Sequence, residues 1–122
     1  MPVIPPFVLK KLYVQGSLRP EDDGFALDLK NTIAPATIIA FAGLNVDGRT
    51  MAPAQVTLTS NNGHPRSGDQ VSTQAPLRFP IGATVTLRVV GETLAPGKHE
   101  LVTRVVVEEV GPLDIPISDT LA

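Results

Sequence analysis

The 122-residue sequence predicts an all-β chain, a single immunoglobulin-like antiparallel β-sandwich of about seven to nine strands. Two observations carry this. Ala83 to Val89 alternates apolar and polar residues, and His99 to Val107 does so more loosely, which turns one face of each run toward a core. The β-branched residues that dominate both runs suit a pleated, half-buried backbone. Helical signals, by contrast, are almost absent. Twelve Pro and ten Gly are spread through the chain, and no useful window carries a 3.6-residue apolar stripe. The length suits one domain over residues 1–122. Surface scaling gives roughly 6,300 Å² folded against about 18,700 Å² extended, enough burial for a core without staples.

Each element then has its own signal. Residues 1–7 form an apolar, Pro-rich arm that loses little entropy on docking against a neighbour. Phe7 to Val14 is the first candidate strand, and Arg19-Pro20-Glu21-Asp22-Asp23-Gly24 is a turn. Phe25 to Leu29 follows, with Phe25, Leu27 and Leu29 on one face. Pro35 precedes a long run from Thr37 to Val46, which stops at the hairpin signal Asp47-Gly48, with Arg49 to Met51 as the returning strand. Gln55 to Ser60 comes next. Residues 61–80 read as one long loop, because their Asn, Gly, Ser and Pro content is turn-forming and Pro76 and Pro80 would interrupt a central strand. The link Leu94-Ala95-Pro96-Gly97-Lys98 leads into His99. That start is like the corner of immunoglobulin-like sandwiches, where a Tyr ties the new strand back to the turn. His99 is therefore expected to hydrogen-bond turn backbone. Leu113 to Ile117 closes the fold, with Pro116 suited to an edge.

Several strands carry apolar residues on both faces. In Thr37–Val46, Ile39 and Phe41 oppose Ile38, Ala40, Ala42, Leu44 and Val46; in His99–Val107, Val102 and Val106 oppose Leu101, Val105 and Val107. A lone sandwich should show polar outer faces. With no helix to cover the excess, the expected cover is another polypeptide, meeting Phe7, Leu9, Ile39, Phe41, Val102 and Val106. Isolated exposed Val and Ile, which mean nothing, are the plainer alternative.

Self-contained chemistry is not indicated. There is no Cys, hence no disulfide or thiolate metal site, and the two His are not spaced as metal ligands. His64 lies in the long loop near Arg66 and Asp69, where a solvated His is commoner than a base. The pairs Asp22-Asp23 and Glu108-Glu109 read as solvated charge, since adjacent strand residues point to opposite faces. No Gly-x-Ser-x-Gly elbow or phosphate-binding Gly loop occurs. Formal charge of −2 with scattered cations disfavours nucleic acid and anionic membranes, and no apolar stretch approaches a membrane span. The N-terminal residues lack the pattern of a secretory signal, so a cytoplasmic location is expected.

The segments Gly24-Phe25-Ala26-Leu27-Asp28-Leu29, Gly43-Leu44-Asn45-Val46-Asp47-Gly48, Pro76 to Ala83, Leu94 to His99 and Ser118-Asp119-Thr120-Leu121, in that order, resemble the small (β) subunit of bacterial C-glycoside deglycosidases. The resemblance spans about Gly24 to Leu121. It implies a non-catalytic β-sandwich subunit of a carbon–carbon lyase, associated as a hetero-oligomer with a large (α) subunit of TIM-barrel fold. That partner would hold a divalent metal, manganese, and supply the base that cleaves the bond between a 3-oxo sugar and an aromatic aglycone. No cofactor is implied in the present chain. Asn31 to Thr37 departs from gut-bacterial relatives, which leaves the aglycone open. The 61–80 loop, with His64 and Arg66, is expected to lean over the partner's active-site mouth.

Two other classes compete. A free-standing carbohydrate- or ligand-binding module would want aromatic platforms, and the chain has no Trp, one Tyr and four Phe. An independent enzyme would have to use His64, Arg66 and Asp69, and His64→Ala should then abolish its turnover.

Overall fold

Two antiparallel sheets pack face to face in the computed structural model, which describes residues 5–21, 23–60 and 63–121. The first sheet has the order β1 (Arg19–Glu21), β2 (Gly24–Lys30), β8 (Thr84–Val90), β5 (Val56–Thr59), β6 (Pro65–Ser67). The second runs β10 (Gly111–Leu121), β9 (Gly97–Val107), β3 (Ala36–Val46), β4 (Arg49–Met51), with β7 (Leu77–Phe79) also paired to β3. The all-β sandwich is thus as the alternation predicts. Ten strands are present among the described residues rather than seven to nine, because four of them are only three residues long.

The core lies between the sheets and is built from alternate positions. Phe25, Leu27 and Leu29 of β2 face Leu44, Val46, Leu101 and Val105 of the other sheet in one buried cluster. Fully burying such side chains stabilises by roughly 1.5–3 kcal/mol each relative to exposure. The Asp47-Gly48 signal is a hairpin: both residues have positive φ, 49° and 89°, as a type I′ turn requires, and β4 returns from it. Pro116 lies on β10, the edge of its sheet.

Beyond the Arg19–Gly24 segment, whose first half is strand β1 rather than turn, three expectations need correction. Phe7 to Val14 is not a strand: Pro6–Leu9 is a helical turn, α1, continued by a 3₁₀ turn over Lys10–Leu12. Pro6 takes the first helical position, where its missing N–H is harmless. Leu9, Leu12 and Tyr13, at helical spacing, then share the face turned to the core. The second correction concerns Phe41. Register shifts between Ile38 and Ala40 and between Phe41 and Gly43 break the alternation of β3, and Phe41 enters the core. Gly43 sits at the second shift with φ 133°, a conformation other residues rarely adopt. The third is the 61–80 loop, which contains β6, a 3₁₀ turn at Gly68–Gln70, and β7. Of the apolar arm, residues 1–4 lie outside the described residues.

Candidate binding cavity at the open end of the sandwich

At one end the sheets do not close on each other, and an apolar cavity of about 130 Å³ lies between them. Leu29 from β2 and Ile38 from β3 form its inner wall, with Val105 of β9 and Phe79 of β7. Leu9 and Leu12 of the helical start cover one side, and Val110, Leu113 and Ile115 the other. Its walls are almost wholly aliphatic. Among the described residues no Lys, Arg or His lines it, and Glu109 is the only ionisable one that does.

The rim is held by polar contacts from two loops. Asn31 is only 2% exposed and uses its whole amide. Its Nδ2 donates to the carbonyls of Ala34 at 2.7 Å and Phe79 at 2.6 Å, while Oδ1 accepts from the N–H of Ile33 at 3.0 Å and of Ala34 at 3.4 Å. The Asn31 main chain bonds Gly82 and Ala83 as well. One buried amide thereby fixes the 32–35 loop to β7 and shapes the mouth. Across the opening, Glu109 accepts from the Thr37 N–H at 2.9 Å and hydroxyl at 3.0 Å. The Thr37 and Glu109 main-chain N–H groups hold its carboxyl below the usual range. Glu108 and Glu109 occupy a turn rather than a strand, and Glu109 has this structural task instead of being merely solvated.

The helical cover is latched from its far end. Tyr13 donates its hydroxyl hydrogen to Asp119 Oδ2 and accepts from the Leu18 N–H at 3.0 Å. Asp119 also accepts from Gly16 N at 2.8 Å and Thr120 N at 2.7 Å. Burial, then the Asp119 bond, push the Tyr13 phenol up to about 12. Burial opposes the Asp119 charge, but these hydrogen bonds outweigh it and keep the carboxyl below its usual range. Sequence reading passes over this pair, since the partners lie 106 residues apart and nothing local to either marks the other.

The residues singled out from the sequence are dispersed. Leu9 and Phe41 belong to the core, so they leave the expected partner surface. Phe7 is 68% exposed; Ile39, Val102 and Val106 are half-buried. Arg104, paired with Asp114 at 3.8 Å, stands between Val102 and Val106 along β9. His64 and Asp69 are exposed, while Arg66 donates to the carbonyls of Pro76 at 3.0 Å, Gln70 at 3.3 Å and Ala75. Arg66 therefore staples its own loop, and neither it nor His64 lines the cavity.

His99 does meet turn backbone. One ring nitrogen, Nε2, lies 2.7 Å from the Ala95 carbonyl and the other, Nδ1, 2.6 Å from Asp47 Oδ2. Both partners only accept, so the geometry needs a ring with two N–H groups, the imidazolium. The Ala95 carbonyl, then Asp47, raise its pKa accordingly. With both nitrogens committed, this His–Asp pair has no lone pair left to activate a nucleophile. Among the described residues, no group of three or more His, Asp or Glu is placed to hold a metal. No helix among them is long and apolar enough to cross a membrane.

Residues 8–122 match the family described as hydroxymethylglutaryl-CoA reductase, N-terminal domain. No curated protein matches the chain. The family match overturns the resemblance to the deglycosidase small subunit, and with it the carbon–carbon lyase function and the TIM-barrel large subunit as partner. The expectation of manganese in that partner rested on the same resemblance. The segments that carried it are strand and turn pieces, such as the hairpin at Asp47-Gly48 and the corner at Pro96-Gly97, which β-sandwiches of unrelated function share. Matched over all but its first seven residues, the chain belongs to the hydroxymethylglutaryl-CoA reductase N-terminal domain family.

Proposed function

We propose that this chain is a non-catalytic binding domain that serves a hydroxymethylglutaryl-CoA reductase, receiving an apolar group in the open end of its sandwich. The cavity is the observation that carries the reading. At about 130 Å³ with aliphatic walls, it is close in size to engineered apolar cavities of about 150 Å³ that stay dry and take up benzene. Walls of this kind supply binding and no proton transfer. The family description connects the domain with the reductase. In this reading the chain contributes no metal or cofactor and no reacting group. It works in the cytoplasm, for which a sequence without Cys is suited.

Two measurements on the purified chain test the proposal. Incubated with hydroxymethylglutaryl-CoA and a hydride donor, the chain alone should leave the thioester intact; turnover would refute the non-catalytic assignment. Titrated with benzene, it should show methyl chemical-shift changes at Leu12, Val105 and Leu113. Ala36→Leu, which fills the rim, should abolish them. Equal benzene binding by that variant would place the ligand elsewhere.

A further inference from the structure

Thr103 is the one buried side-chain polar atom without a partner among the described residues: the residue is 0% exposed, and its Oγ1 makes no hydrogen bond. A hydroxyl buried in this way costs roughly 1–3 kcal/mol, so its position asks for an explanation. Thr103 lines a small chamber of about 10 Å³ in the core, whose other walls are all apolar. Water does not answer the need. The chamber is at the lower limit for one molecule, and a buried water seeks two to four polar partners where only Thr103 is present.

The chamber adjoins the open-end cavity. Leu29, Ile38, Phe79 and Val105 line both, so these four side chains are the partition between them. On β9, Thr103 is the next inward-facing residue beyond Val105, about 7 Å deeper along the strand. A chain end that entered from the mouth and displaced Val105 and Ile38 by a rotamer step would bring its tip to the Thr103 hydroxyl. The cavity entrance adds a second selection. Among the described residues its only ionisable group is the Glu109 carboxylate, and none of them supplies a cation to the walls to offset an entering anion.

We infer that the cavity is a site for a neutral aliphatic molecule of about five or six carbons with one hydroxyl or carbonyl at its leading end, bound by Thr103. This deepens the binding-domain reading and rests on it. Carboxylates of the same length are excluded by desolvation of their charge beside Glu109.

The test uses the purified full chain and three probes, benzene, hexan-1-ol and hexanoate at neutral pH, read by methyl chemical shifts of Leu29, Val105 and Leu113. Benzene and hexan-1-ol should bind, and hexanoate should not at tenfold higher concentration. Thr103→Val keeps the side-chain shape and should weaken hexan-1-ol about tenfold, the value of roughly one hydrogen bond, while changing benzene less than about twofold. If the variant binds hexan-1-ol as the wild type does, or hexanoate binds equally well, the ligand class is wrong although the cavity reading stands. If no probe binds, both fall.

Discussion

Tyr13→Phe removes one oxygen from the latch that holds the cavity's helical cover, and its cost follows from the contacts of that atom. The hydroxyl donates to a carboxylate and accepts from the Leu18 N–H. Losing a charge-assisted bond costs about 1.5–3 kcal/mol, and leaving a buried N–H unpaired costs about 1–3 kcal/mol more. Asp119 keeps the Gly16 and Thr120 N–H groups, so its charge is not stranded, and the ring still packs. The expected total is near the lower combination, about 3 kcal/mol. For a chain of this length that corresponds to a fall in Tm of about 12 °C. Urea denaturation followed by circular dichroism measures the stability, and amide exchange over residues 8–13 reports the cover. Exchange there should rise before global unfolding, because Leu9 and Leu12 lose their anchor. A loss below about 1 kcal/mol, with protection of Leu12 unchanged, would refute the latch.

Thr103→Val should stabilise the ligand-free chain by about 1 kcal/mol in the same urea assay, since it replaces an unpaired hydroxyl with a methyl of like shape; destabilisation would mean that Oγ1 has a partner. Gly24→Ala should cost about 3 kcal/mol or more, or prevent folding, because the new Cβ would lie 1.8 Å from the Val89 carbonyl oxygen and must break the β2–β8 pairing. Stability should also depend on pH in two limbs. The His99 pKa is raised above 6.5, so its contribution is complete below that pH and is lost as pH rises through the folded value. Asp119 and Asp47 are lowered from 3.8, the latter by the Glu100 N–H first and then His99, so theirs is present above 3.8 and lost as pH falls through the folded values. Urea midpoints should therefore peak between about pH 4 and 6.5, and His99→Ala should flatten the alkaline limb.

Strands with a strong local signal were legible in the sequence. The alternation of β2 and β8, the Asp47-Gly48 hairpin and the edge position of Pro116 each depend on residues a few positions apart. What escaped depends on tertiary context. The register shifts of β3 leave no mark in a run where nearly every residue is apolar, so Phe41 reads as facing outward. The helical start is too short to display a period, and its buried face, Leu9, Leu12 and Tyr13, is set by what it covers. The cavity was harder still. Its walls come from four separate stretches of chain, 9–12, 29–38, 79 and 105–115, and its rim rests on Asn31, an ordinary loop residue until Phe79 and Ala34 are brought to it. Thr103 reads as a routine strand residue, and only the absence of a partner in the folded chain distinguishes it.

Xenon-pressurised crystals test the central claim most directly, because xenon occupies apolar cavities of this size without any specific contact. The account predicts a xenon atom at the open end of the sandwich, within reach of Leu12, Val105 and Leu113. Closed sheets with those side chains in mutual contact and no xenon between them would contradict it.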